Sequence, residues 1–147
     1  GDQKYLDNWT TMFANVHVLK HQGGGIAPWN VQQFYFEKID NSIIGKQINS
    51  NQNFEVIFYH FHYVREHKKY IDLGWLELNK EVIEIFYKPY FKNINDIRTT
   101  LKTQFPDLYN TNFNFKIFNF SNIKEIIKSL FKYVFKYNIY NKKTFLS

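Results

Sequence analysis

The chain has 147 residues, enough for one modest domain with its own core, and 44% of them are apolar, which excludes disorder throughout. It has no cysteine, which excludes disulfides, Cys-ligated zinc and thiol nucleophiles; any metal must bind through His, Asp, Glu or Asn. The net charge is +6, and residues 105–147 hold most of the excess, with seven Lys against Asp107 and Glu125.

Asp2 to Phe13 reads as an amphipathic helix, because Tyr5, Leu6, Trp9, Met12 and Phe13 recur at the spacing of one buried face. A short strand is expected at Val16 to Lys20. Gly23-Gly24-Gly25 then breaks regular structure, and Pro28 holds Ala27 extended. Strands are predicted at Gln33 to Lys38 and Ser42 to Ile48, joined by a tight turn at Asp40-Asn41. After a polar turn over Asn49 to Asn53, Phe54 to His62 is the strongest strand. It carries Phe54, Val56 and Phe58 on one side and Ile57, Tyr59 and Phe61 on the other, a pattern expected of a strand covered on both faces.

Asn79 caps a predicted helix through Val82, Ile83, Phe86 and Tyr87, with Glu81 and Glu84 in its early turns. Pro89 is expected to end or kink it, and Tyr90 to Thr103 to form a second helix. Phe105 to Phe120 reads as irregular or extended, and Ser121 caps a last helix to about Tyr137. There is no internal repeat. No apolar run approaches the length of a membrane span, and no signal peptide is visible. The first residue is not Met, and Asp2-Gln3 stands at the extreme end, as expected of a truncated N-terminus.

Three groups of residues carry chemistry. By itself Asp2 at a helix start is a cap, and Gly23-Gly24-Gly25 is a flexible turn, since the Lys-Ser/Thr of a phosphate loop does not follow it. His60 and His62 stand two apart on a strand, so both imidazoles project to one face; without a third ligand at a recognisable spacing the pair suits a structural or surface role as well as a metal site.

Taken together and in order, Gly1-Asp2-Gln3 with Tyr5-Leu6 and Trp9, Ala27-Pro28-Trp29-Asn30, and His60-Phe61-His62 resemble the second half of a nucleotide-sugar glycosyltransferase of GT-A fold, similar to glycosyltransferase family 8. The likeness covers roughly residues 1 to 76. It implies that Asp2 hydrogen-bonds the donor sugar and that Gln3 lies near the anomeric carbon, where a retaining transfer develops oxocarbenium character. It implies Trp29 as a packing anchor beneath the site, and Asn30 as a residue that supports the loop or touches substrate, with His62 fitting the His-Phe-His form of bacterial relatives. It implies His60 as a ligand of a divalent ion, Mn²⁺ or Mg²⁺, that neutralises the departing diphosphate. The main metal ligands of the family are an Asp-x-Asp, which this chain does not contain.

The family continues from His-Phe to a Gly and then to a phosphate-facing Lys. Here Tyr63 stands at the Gly position and Glu66 at the Lys position, leaving Arg65, Lys68 and Lys69 as alternative phosphate cations. The expectation is therefore an α/β fold: residues 1–104 as the C-terminal part of a GT-A catalytic domain, and 105–147 as a basic aromatic tail with an amphipathic helix. The expected function is metal-dependent, retaining hexosyl transfer from a nucleotide-diphosphate sugar to a glycan or lipid-linked acceptor, in a cytoplasmic protein peripheral to the inner face of the membrane. The fragment is expected to be inactive alone.

Two rivals remain. Basic charge interleaved with Phe and Tyr also suits a nucleic-acid-binding module, which would leave the three motifs as coincidences. A non-catalytic membrane-associated domain is the other, resting on the last helix: Ile123, Ile126, Ile127, Leu130, Phe131, Val134 and Phe135 form an apolar face, and Lys124, Lys128, Lys132 and Lys136 a basic stripe. That face either enters an anionic lipid interface or packs on the domain beneath solvated lysines.

Overall fold

The computed structural model describes residues 4–50, 52–106, 127, 130–132 and 134–146. The fold is mixed α/β, built from two small antiparallel sheets and one long helical rod.

The first sheet follows the predicted hairpin. Strands β1 (Phe34–Ile39) and β2 (Ser42–Gln47) pair antiparallel from Phe34↔Gln47 to Ile39↔Ser42, around a turn in which Asp40 takes a positive φ of 52°. Period-two alternation puts Phe34 and Phe36 inside and Tyr35 and Glu37 outside. Strand β3 (Asn53–Glu55) adds to β2, with Phe54 opposite Gly45. The pairing needs that glycine: a Cβ on Gly45 would lie 2.4 Å from the Phe54 ring. Phe54 in turn packs edge-on against Phe34, with ring centroids 5.0 Å apart.

The strand predicted over Phe54 to His62 is regular only at Asn53–Glu55, and the difference has a clear cause. Phe54 and Val56 turn inward, but the next inward residues are Tyr59 and Phe61, so the alternation slips by one between them. At the slip the N–H groups of both Ile57 and Phe58 point at the carbonyl of Gly23, at 2.9 and 3.4 Å, as in a β-bulge. The chain then leaves β2 and pairs in parallel with Ile26 through Tyr59. Ile57 and Phe58 are consequently exposed, not covered. A one-residue slip turns every later side chain to the other face, and this one sends His60 and His62 outward.

Helix α2 (Lys80–Val82) begins as expected, with Asn79 Oδ1 accepting from Val82 N–H at 2.8 Å. Pro89 neither ends nor breaks the rod. A π-helical turn (Ile83–Tyr87) precedes helix α3 (Lys88–Gln104), and Lys88 N–H reaches back five residues to the Ile83 carbonyl. The wide turn places Pro89, which has no N–H to donate, at the start of α3, where that donor is not required. Phe86 and Tyr87 meet the inward side of the slipped segment: Tyr59 stacks on Phe86 at 4.4 Å, Phe61 on Tyr90 at 4.2 Å, and the Tyr59 and Tyr87 hydroxyls are 3.1 Å apart. Glu81 accepts from Phe36 N–H, covering the open edge of β1.

The second sheet joins strands β4 (Arg65–Glu66), β5 (Tyr70–Asp72) and β6 (Ile139–Asn141), so residues near the C-terminus pair with the middle of the chain. Helix α4 (Lys142–Leu146) then buries Phe145 against Phe91 and Tyr140.

Two further predicted elements differ. The N-terminal segment is helical, as a 3-10 turn (Lys4–Asn8) and helix α1 (Trp9–Met12), but Tyr5, Leu6, Trp9, Met12 and Phe13 are exposed; within it the ring of Trp9 packs on those of Tyr5 and Phe13. The strand expected at Val16 to Lys20 forms no ladder among the described residues. Most of the stretch expected to be irregular, and the Ser121 cap, lie outside the described residues. Of the last helix, residues 127, 130–132 and 134 are described and helical. Their orientation is the reverse of a packed amphipathic helix. Ile127, Leu130, Phe131, Val134 and Phe135 are exposed, while Lys132 is 3% exposed and ion-paired to Asp72, with its ammonium 5.0 Å from the Trp75 ring centre. No helix among the described residues is long and apolar enough to cross a membrane.

Candidate functional site

Trp29, His60 and His62, drawn from separate motifs, come together. The centre of the Trp29 ring lies 5.3 Å from that of His60 and 5.6 Å from that of His62. Two local devices produce the meeting. The first is the turn at Ala27-Pro28-Trp29-Asn30: Ala27 and Pro28 are buried, and the Ala27 carbonyl accepts from Asn30 and Val31 N–H. The second is the bond from His60 N–H to the Ile26 carbonyl, at 2.8 Å, which fastens the slipped segment beside that turn.

The expected roles are modified by this geometry. Trp29 is not a packing anchor: it is 54% exposed, and its indole forms an outward surface flanked by two imidazoles. Asn30 spends both ends of its amide on the loop, Oδ1 accepting from Ala27 N–H and Nδ2 donating to the Gly25 carbonyl, each at 2.8 Å. It is a positioning residue for Trp29. Asp2 and Gln3 lie outside the described residues.

The triple glycine proves to be a packing device. Gly23 lies so close to the neighbouring segment that a Cβ there would sit 1.8 Å from the Glu55 carbonyl oxygen, whereas a Cβ on Gly25 would meet nothing within 4 Å. Gly23 therefore permits the approach that creates the slip, and with it the outward histidines.

Tyr63 belongs to the same surface and was not singled out as a site residue. Its ring is 4.8 Å from His62, its backbone takes the left-handed conformation at φ 57°, and the Arg65 guanidinium lies 5.3 Å from its ring centre. Tyr63 thus keeps the backbone shape that glycine adopts most easily. The one signal in the sequence was the departure from the glycine that the resemblance leads one to expect there, and it gave no hint that the ring would join His62.

His60 and His62 could supply imidazole nitrogens to a divalent ion; among the described residues no group of three or more His, Asp or Glu is arranged to hold one. Two imidazoles by themselves fill only part of a coordination sphere. Glu66 is engaged in ion pairs. It accepts a bidentate pair from Arg98 at 2.9 and 2.7 Å and an ion pair from Lys142. Chiefly the Arg98 bond, helped by Lys142, pulls its carboxyl down to about 2 against the opposing effect of burial. His67 stacks on Tyr70 at 4.2 Å, and burial lowers its pKa. Behind the site, burial foremost raises the pKa of Tyr59 and Tyr87, so the linked hydroxyls stay protonated and hold the inner face.

The chain is similar to "Uncharacterized protein YfnD" of Bacillus subtilis (strain 168), with 28% identity over 110 residues, covering 73% of this chain and 33% of that protein. It thus spans about a third of the length of this curated relative. No family model matches the chain, and no solved structure does.

Proposed function

We propose that this chain is the carboxyl-terminal part of a GT-A catalytic domain, similar to glycosyltransferase family 8, that transfers a hexose from a nucleotide-diphosphate sugar to a glycan or lipid-linked acceptor. The observation that carries the reading is the convergence of Trp29 with His60 and His62 on one exposed surface. Two of the motifs behind the resemblance meet in space, though each alone has a bland explanation. The left-handed backbone at Tyr63, where the family has glycine, supports the same reading.

In this proposal His60 is one ligand of a divalent ion whose main ligands, an Asp-x-Asp, belong to another part of a longer protein; when bound, that ion supplies charge neutralisation for the departing diphosphate. Trp29 and His62 border the sugar, and Asp2 takes the role of a hydrogen-bond partner of the donor sugar that the resemblance implies. Gln3 stabilises developing positive charge at the anomeric carbon, and retention follows from the family likeness.

The open reading frame that contains this chain tests the proposal. A βαβ unit and an Asp-x-Asp encoded upstream of Gly1 are expected. A start codon immediately before Gly1 would overturn the reading.

A membrane-surface role has its own observation. The described apolar residues of the last helix face outward while Lys132 is buried, so this face is not used for packing on the domain among the described residues. We infer that it lies in an anionic lipid interface. Co-sedimentation with anionic vesicles, falling with salt, is expected; no binding at low salt would refute it.

A further inference from the structure

Residues 72–77 brace the Trp29 surface from two sides. On one side they meet Tyr63: a Cβ on Gly74 would lie 3.1 Å from the Tyr63 Cβ and 3.9 Å from the His62 carbonyl oxygen. The two facing residues both take positive φ, 57° at Tyr63 and 89° at Gly74. Glycine adopts that conformation readily, whereas a tyrosine there is strained and stays only where its surroundings fix it. On the other side, Gln32 Nε2 donates to the Pro28 carbonyl at 3.0 Å and to the Glu77 carbonyl at 2.7 Å. The same segment is thereby tied to the turn that presents Trp29.

The brace is itself held by residues near the C-terminus. Asp72 Oδ1 accepts from Gly74 N–H at 2.9 Å and from the ammonium of Lys132, which is almost fully buried. Asn138, also buried, donates its side-chain amide to the Leu76 carbonyl at 2.7 Å and to the Gly74 carbonyl at 3.3 Å. Its own carbonyl accepts from Leu73 N–H at 3.0 Å. A buried ion pair adds little net stability over an apolar pair of the same size. What Lys132 and Asp72 supply is one fixed shape for the turn that presses on Tyr63.

We propose that Asn138 and Lys132, together with Gln32, are positioning residues of the candidate site. Acting through residues 72–77, they hold His62 and Tyr63 at their distance from Trp29. Part of the C-terminal segment therefore belongs to the framework of the site. That the framework serves sugar transfer rests on the function proposed above; that it shapes the surface does not.

The ring-current shift of the His62 imidazole protons tests this, read by NMR on the 147-residue chain below its melting transition. The Trp29 indole, 5.6 Å from the His62 ring, imposes a shift that falls steeply as the rings separate. Trp29→Leu sets the full displacement. Asn138→Gly removes the clamp and keeps a residue that accepts the positive φ of 52° at this position. Lys132→Met keeps the length of the side chain without its charge. Gln32→Ala removes an exposed side chain, so this protein should fold in any case. Each of the three should move the His62 signals by a substantial part of the Trp29→Leu displacement. Glu66→Gln is the control, because its carboxylate pairs with Arg98 and Lys142 rather than with residues 72–77; it should weaken the second sheet and leave His62 in place. His62 signals that overlay wild type in Asn138→Gly and Gln32→Ala, or an equal displacement in Glu66→Gln, would overturn the proposal. Displaced His62 signals alongside a whole-length protein that consumes no nucleotide sugar would support the brace and remove the function proposed for the surface.

Discussion

Replacing Gly23 by Ala attacks the feature that turns the histidines outward. The new Cβ would lie 1.8 Å from the Glu55 carbonyl oxygen and 2.8 Å from its carbon, both backbone atoms that no rotamer change can move. The two segments must separate, at an overpacking cost of about 1–3 kcal/mol. Separation also lengthens the bond from Ile57 N–H to the Gly23 carbonyl, adding about 1 kcal/mol. A total near 3 kcal/mol should lower Tm by about 6–12 °C for a domain of this size. The neighbours are internal controls. At Gly24 the Cβ meets the far end of the flexible Leu19 side chain, and at Gly25 it meets open space, with a negative φ of −154° outside the left-handed region. Gly25→Ala should be neutral or stabilising by up to about 1 kcal/mol, through the unfolded state. Thermal unfolding of the three variants followed by circular dichroism gives the order. If Gly23→Ala unfolds within about 1 °C of Gly25→Ala, the close approach does not hold the slipped segment, and the explanation of the outward histidines fails.

Three further outcomes are expected. Glu66 has a folded pKa of about 2 against an ordinary 4.5, so its contribution to stability is complete above the higher value and lost as pH falls through the lower; Glu66→Gln should lower Tm at pH 7, and the gap from wild type should close between pH 4.5 and 2, whereas a constant gap would exclude the ionised pairing. Lys132→Ala leaves Asp72 without its buried partner and should destabilise by about 3 kcal/mol in denaturant unfolding, with altered Trp75 fluorescence, and a change below about 0.5 kcal/mol would place Lys132 in solvent. In the longer protein that contains this chain, His60→Ala should shift the Mn²⁺ titration of activity to higher concentration, and superimposable curves would remove His60 from the metal's ligands.

The β1–β2 hairpin and the Asn79 cap were legible because each has a strong local cause: alternation around Asp40-Asn41, and an Asn before an apolar helix. The slip within Phe54 to His62 was not, since a run apolar on both sides fits either phase; a long-range contact with Gly23 chose between them. Pro89 misled because its effect depends on whether the preceding turn can widen. In the last helix the apolar and Lys positions were plain, but the face turned inward was set by Asp72, sixty residues away in the chain. At the candidate site, the spacing of His60 and His62 correctly placed both on one side. That Trp29 would stand exposed between them depended on Asn30 bonding the loop backbone, which residue types alone do not reveal.

The central claim is tested most directly by nucleoside-diphosphate release from a panel of nucleoside-diphosphate hexoses, catalysed by the protein encoded by the whole reading frame, with Mn²⁺ and with chelator. The account predicts release that requires the metal and a Gln3→Ala variant whose kcat falls about tenfold or more while the donor KM hardly changes, since the lost interaction belongs to the transition state. No donor consumed with any divalent metal, or a Gln3→Ala rate equal to wild type, would contradict it.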